Sequence, residues 1–533
     1  MSGKSFILYA ILAVLLFASC LDGQHAPSEA DLSAFGRYVY RLDTAKLQGN
    51  LQALIAADTS RWRADQTVSQ YYSSGSPAAG AQDAEPDALN FIWFSRSGVS
   101  PDADSIVALL RRELPRNGLD SAAFFLPSLA GDLDVVHRLA FDSLGIDINQ
   151  LLPRLDYRLT QAYVRYTAGQ RRGFLRPAKL LNNLDFKSGG PGYVRLFDYD
   201  VPAPDYDEAL RQACDPDARL AYLADSHPSG PVYEALVRQL DSLPSAEQRR
   251  TLAVNIERCR WQMPQLPSSG RRILVNIPAQ QLWAIAPDSI MNMRICCGTV
   301  LTKTPLLNSA ITHMQVNPDW IIPQNIVRNE VVRHAGDSAY FARNRYYIVD
   351  RTTGDTLSPR HVTAAQMQSG RLRIGQHSGR GNSLGRIVFR FPNDFAIYLH
   401  DTNNPSAFQR ERRTLSHGCI RVQRPFDLAS FLLPGADEWT LDRLRLSMDL
   451  QPQSERGIQY LKDLRQRQRE DPAFVMPQPL RLLSYSDVKP NVPVHITYFT
   501  AYPDPQSGTL RYYPDLYNYD KLLSRALHPF LLY

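Results

Sequence analysis

An α+β chain, helical in its first part and mainly β in its second, is what the sequence predicts, on three observations. Between about residues 40 and 200 the apolar side chains recur at three- and four-residue spacing. From Arg272 onward they alternate with a period of two. The third is size and balance: 533 residues, 44% hydrophobic and 21% charged, suffice for about three units of ~150 residues that bury cores without disulfide staples. Disorder and a small disulfide scaffold are excluded on the same grounds. The 59 Lys and Arg against 53 Asp and Glu leave a net charge of +6, with no basic run long enough to track a phosphate backbone. Nucleic acid is therefore not an expected partner.

In chain order, residues 1–19 read as a secretory signal: Lys4, the apolar run Phe6 to Ala18, then the small exit Ser19-Cys20. The run is shorter than the about 20 residues a membrane span needs and gives way at once to Asp22-Gly23-Gln24-His25. Leu16-Phe17-Ala18-Ser19-Cys20 resembles a bacterial lipoprotein box, which implies lipidation of Cys20 and membrane anchorage in the periplasm; cleavage to a soluble protein and an uncleaved anchor are the alternatives. Residues 20–39 then form a tether. Over 40–200 a helical domain is expected, with Asp104 capping a helix that carries Ile106, Leu109, Leu110 and Leu114, and a second helix lining up Leu155, Leu159, Ala162, Tyr163 and Tyr166. Both stripes read as core.

Residues 201–262 read as a connector with a helix from Val232 to Leu243 and another through Arg260-Trp261. A β-rich domain spans 263–440, opening with Ile273, Val275 and Ile277, a Pro278-Ala279 turn, and Leu282 to Ile285. Ile387 to Phe391 and Phe395 to Leu399, around Pro392-Asn393-Asp394, predict a hairpin that delivers His400 at a strand end. The polar stretch at about 324–375 reads as an irregular excursion that could serve as a lid. Residues 441–533, with a solvated helix at Ser454 to Arg469 and a strand at Pro493 to Thr500, are expected as an extension packing on that domain.

The chemistry concentrates in Tyr398-Leu399-His400-Asp401-Thr402 and Ser416-His417-Gly418-Cys419-Ile420-Arg421. A free thiol is mostly protonated at neutral pH and needs a base, which His400 or His417 can supply. Gly418 allows close approach of a carbonyl, so the amides of Gly418 and Cys419 could hold an oxyanion. His417 and Arg421 lie two residues either side of Cys419, on the same face of an extended chain. The Arg421 fork suits a carboxylate, with an ion pair inside the fold as the alternative. Arg410, Arg412 and Arg413 make either a basic rim or a solvated loop. Two readings from other classes compete: a zinc site built on His400, His417 and Cys419, which lacks a fourth ligand at useful spacing, and a silent wall-binding scaffold, which has no need of an unpaired thiol beside a glycine. Of the other cysteines, Cys214, Cys259, Cys296 and Cys297, the adjacent last two read as buried small hydrophobes on opposite faces of a strand. No cofactor, metal or obligate protein partner is expected.

With His400 ahead of it, Ser416-His417-Gly418-Cys419-Ile420-Arg421 resembles the signature of the YkuD-type L,D-transpeptidases. Asn382-Ser383-Leu384-Gly385-Arg386, Asn317 to Pro323 and Pro493 to Phe499 extend the resemblance to the large YcbB-like branch. That branch usually carries a small peptidoglycan-binding module; residues 201–250 are too short and too unlike it, so the module is expected to be missing or vestigial. The resemblance implies acyl transfer on peptidoglycan stem peptides, with Cys419 as nucleophile, His400 as base and His417 shaping the oxyanion site or substrate contact. Ser416, Gly418, Arg421, Tyr398 and Asp401 would be substrate-binding. The implied product is a 3-3 cross-link with release of D-Ala. Water as acceptor would make a carboxypeptidase, and other amines would give lipoprotein attachment or D-amino acid exchange.

Overall fold

The computed structural model describes residues 42–74, 91–95, 98–182, 184, 195–242, 244–264, 267 and 269–532. The leader, Cys20 and the tether lie outside them. Two compact units result.

The first takes in the described part of Met1–Phe174, with Pro204–His227 and Pro529–Tyr533. It holds the helices α1 (Thr44–Ala57), α2 (Arg63–Ser74), α3 (Pro101–Arg116), α4 (Leu126–His137), the 25-residue α5 (Ile148–Arg172) and α6 (Tyr206–Cys214). α5 runs through the core: its expected stripe, from Leu155 to Tyr166, is buried against α1, α2, α4 and α6. Asp147 caps its N-terminus by accepting from the Asn149 amide. One expected cap is corrected. Asp104 does not begin α3; Ser100 does, with Pro101 at the first helical position, and Asp104 instead meets His137 at 2.9 Å. The chain end also belongs here, since Phe530 lies edge-on to Trp62 and Leu531 bridges to Leu119.

At the centre of this unit Asp156 is buried without a cationic partner at bonding distance. Its carboxylate accepts from the Tyr72 hydroxyl and from the backbone amides of Ile92 (3.1 Å) and Trp93 (2.7 Å). Thr160 extends the network to the Trp93 indole at 2.8 Å. A buried carboxyl is tolerated when its lone pairs are met in this way.

The second unit, Leu175–Ala203 with Pro228–His528, is built on one large sheet. Its strands are β1 (Arg272–Asn276), β2 (Gln281–Ile285), β3 (Ile290–Gly298) and β4 (Leu306–Val316), then β5 (Trp320–Ile321), β6 (Tyr346–Asp350), β7 (Thr356–Leu357) and β8 (Leu372–Gln376) in the excursion. Next come β9 (Ile387–Arg390), β10 (Leu399–His400), β11 (Thr414–Ser416), β12 (Ile420–Val422) and β13 (Tyr485–Thr497). The pairings run β9-β10-β12-β3-β2-β1-β13-β4, and β4 pairs back to β9, so the circuit closes. Alternation along β13 explains the closure: Val494 and Ile496 are fully buried while His495 and Thr497 face the other way. The predicted hairpin forms, but its second arm is only β10, because the chain turns through Asn393, whose side chain binds the Phe395 and Ile397 amides and the Ile397 carbonyl.

Two helices from the connector, α7 (Pro231–Asp241) and α8 (Ala246–Arg260), pack on this unit through Leu236, Leu240, Leu252 and Ile256 against Ala501. The excursion is not irregular, as its polarity suggests. β7, β6, β8 and β5 form their own antiparallel sheet, and Val327, Phe341, Ile348, Met367 and Ile374 give it a separate core. A scattered handful of apolar residues suffices for so small a core, so the average polarity hid it. Among the described residues no helix is long and apolar enough to cross a membrane.

Candidate active site

The parallel pairing of β10 with β12 sets the site. Leu399 registers with Ile420 and His400 with Arg421, and the Tyr398 carbonyl accepts from the Ile420 amide at 3.1 Å. Cys419 sits immediately before β12, half-buried at the end of the Ser416-His417-Gly418 turn. That turn is held from beneath. The Ser416 carbonyl accepts from the Thr299 amide (3.1 Å) and the Thr302 hydroxyl (2.9 Å), and the Gly418 carbonyl from the Thr304 hydroxyl (2.8 Å). Gly418 has φ +116°, a backbone region that L side chains rarely adopt.

Ser416 is buried and its hydroxyl is engaged inside the turn, accepting from the Gly418 amide at 3.2 Å and donating to the Cys419 carbonyl at 2.5 Å. Of the two amides expected to face an oxyanion, the Gly418 amide is thus occupied. The Cys419 amide has no partner among the described residues and remains the available donor.

The Cys419 thiol donates to the Ala396 carbonyl at 3.5 Å, and burial pushes it up to about 11. His400 is 4% exposed; burial first, and then the nearby Arg421 charge, bring it down to about 3. Its Nδ1 is buried without a hydrogen-bond partner, and so is Nε of Arg421. The free protein therefore holds a neutral thiol and a neutral imidazole, not a preformed ion pair. Such pairs often tighten only when substrate is bound.

Tyr398 forms the apolar wall of the site with Leu384, Val388 and Trp320, next to Cys419, and the Arg390 guanidinium lies 4.6 Å over its ring. Trp320 also packs on the core of the excursion, so it joins the two. Asp401 faces away from the imidazole. Its carboxylate accepts from the Arg386 amide at 2.8 Å, and a Cβ at Gly385 (φ +66°) would stand 2.4 Å from it. Asp401 thus fixes the Asn382–Arg386 loop, whose Leu384 backbone lies against His400. The loop is tied down again by Asn382, which donates to the Pro318, Gln376 and His377 carbonyls, and by Arg386, which pairs with Asp449.

His417 points outward, 45% exposed, and meets Glu330 of the excursion at 2.6 Å. Arg413 is corrected from the basic rim: it is buried, with its guanidinium bonded to the Ile295, Gln280 and Arg410 carbonyls. Arg410 and Arg412 stay exposed. The supporting residues Thr302, Thr304 and Ala396 were missed, since their only sequence signal is an ordinary loop composition. Cys296 and Cys297 are both buried, and all five described cysteines are free thiols. No group of three or more His, Cys, Asp or Glu among the described residues is placed to hold a metal ion.

Comparison with known proteins agrees with this geometry. Residues 270–440 match the L,D-transpeptidase catalytic domain family, and residues 85–240 match the Scaffold domain family. A Haemophilus influenzae protein named "Putative L,D-transpeptidase" is 28% identical over 278 residues, 52% of this chain and 49% of that protein. The chain thus spans about half the length of the curated relative it matches.

Proposed function

We propose that this chain, whose residues 270–440 match the L,D-transpeptidase catalytic domain family and whose residues 85–240 match the Scaffold domain family, cross-links peptidoglycan stem peptides 3-3 through a Cys419 thioester. The observation that carries the reading is the β10–β12 register, which sets His400 beside Arg421 at the strand end where Cys419 emerges from its glycine turn.

His400 takes the thiol proton as sulfur attacks the carbonyl between the third stem residue and the terminal D-Ala. The Cys419 amide holds the developing oxyanion. His400 then delivers the proton to the D-Ala nitrogen, which leaves, and a thioester remains. The side-chain amine of a second stem attacks the thioester, loses its proton to His400, and restores the thiol. A raised thiol pKa and a lowered imidazole pKa make this transfer uphill in the free protein, so substrate binding must supply the alignment and the field that drive it. Arg421 is assigned the stem carboxylate. His417 and Glu330 join the turn to the folded excursion, which, acting as a lid, keeps water from the acyl-enzyme and favours amine transfer over hydrolysis. The same reading places the mature protein in the periplasm, anchored through a lipid on Cys20; the mass of its N-terminal peptide tests that.

The experiment is mass spectrometry of the protein with a disaccharide-tetrapeptide, beside Cys419→Ala. Dimers joined 3-3 with D-Ala released, both lost in the variant, are expected. Tripeptide alone would make the protein a carboxypeptidase. Equal product from wild type and variant would remove Cys419 from its role.

A further inference from the structure

β13 carries a motif that the active site does not use. Val494 and Ile496 point into the sheet core, which leaves His495 on the opposite face, beside Leu274 of β1. There it lines a second cavity of about 410 Å³, within the range of small-ligand sites (about 300–1,000 Å³). The walls are Tyr199, Phe499, Tyr502 and Cys259, and none of the lining residues belongs to the catalytic turn.

His495 is 7% exposed, yet neither ring nitrogen has a hydrogen-bond or ion-pair partner among the described residues. Its neighbour Tyr199 meets it edge-on at 6.1 Å and directs its own hydroxyl to the Ile496 carbonyl. The residue is buried, but its nitrogens are not sealed off as the Nδ1 of His400 is; they open onto the cavity, where a ligand can meet them. The charges around the cavity are already engaged. Arg258 binds Asp520 at 2.6 Å and Asn255 at 3.0 Å, the Asp504 carboxylate accepts from the Gln506 and Ser507 amides, and Arg272 at the rim donates to the Gly270 carbonyl. The cavity therefore offers aromatic faces and one imidazole, with no uncommitted carboxylate. Burial holds that imidazole down to about 4, so at neutral pH one nitrogen donates and the other accepts.

We propose that this cavity is a subsite for the glycan strand of peptidoglycan, taking a neutral amino-sugar ring against its aromatic walls with His495 bonded to a hydroxyl or acetamido group. The negative faces of aromatic rings attract the C–H faces of a pyranose, and a neutral imidazole suits a hydroxyl, which is both donor and acceptor. Stem peptides, with their carboxylates and amines, fit the cavity less well. The proposal rests on the transpeptidase reading only for the identity of the polymer.

The test is calorimetric titration of the full chain with soluble glycan strands freed of stem peptides. Wild type should bind, His495→Phe and Tyr502→Ala should weaken binding about tenfold, and His495→Gln should retain most of it. The melting temperature should be the same in all four proteins and shows that they are folded. Absence of binding to wild type, or undiminished binding to His495→Phe and Tyr502→Ala, would overturn the subsite. Failure of cross-linking with glycan binding intact would count against the transpeptidase reading alone.

Discussion

Asp156 in the helical unit and His400 in the β unit are both ionisable, both buried and both on regular elements, yet their surroundings are finished differently. Every lone pair that Asp156 needs is met by Tyr72, Ile92 and Trp93. At His400 the Nδ1 is unmet, as is Nε of Arg421 beside it. A closed network rigidifies and stabilises; an open one holds binding capacity in reserve for a group not yet there. The first unit is thus closed at the place where the second leaves polar atoms open.

The sharpest way to break this comparison is to remove each group. His400→Gln should lower the rate of thioester formation by about 10²–10⁴ while costing less stability than Asp156→Ala, since one of its polar atoms is already unmet. A large loss of stability would show that His400 has structural partners after all. Asp156→Ala should do the reverse: a loss of about 1–3 kcal/mol from the stranded Tyr72 and backbone donors, seen in chemical denaturation, with alkylation of Cys419 by iodoacetamide unchanged.

Two pH profiles sharpen it further. Burial raises Asp156 from 3.8 to about 7. Between those values the folded protein keeps a proton that the unfolded chain has released, so this group makes stability fall as pH rises from about 4 to about 7, and then level off. Asp156→Asn should flatten that segment of the curve; an unchanged slope would mean the carboxyl is ionised throughout. At Cys419, alkylation by iodoacetamide should climb with unit slope from pH 6 to 9, because the thiol sits near 11 and His400 is neutral across the range. A plateau near neutrality would reveal a thiolate–imidazolium pair.

The smallest effect belongs to the outer histidine. His417 and Glu330 are about half exposed, and such pairs contribute about 0–1 kcal/mol. Glu330→Gln should leave the melting temperature unchanged and alter kcat/KM for cross-linking about threefold or less, the difference shrinking at high salt. A hundredfold loss would make the contact part of the chemistry.

Much of this was legible in the residues, though unevenly. The change of period at Arg272 marked the start of β1, which ends at Asn276, one residue before the reading did, and is buried on both faces. The stripe from Leu155 to Tyr166 marked α5, because a helix in the core must be apolar along a face. The excursion was read as irregular because its core residues are far apart in sequence and diluted by polar ones. Arg413 was read as a rim cation because nothing local shows that Ile295 and Gln280 offer it carbonyls from distant strands.

What the sequence determined alone was local: helix and strand periods, the glycine before Cys419, and the pairing of a thiol with imidazoles in one short span. Tertiary structure decided which of the two histidines is buried and which meets the excursion, that Asp401 serves a loop and not the imidazole, and that His495 faces a cavity. Those outcomes depend on which strands become neighbours and in what register, and register is a property of the closed sheet, set by side chains hundreds of residues apart.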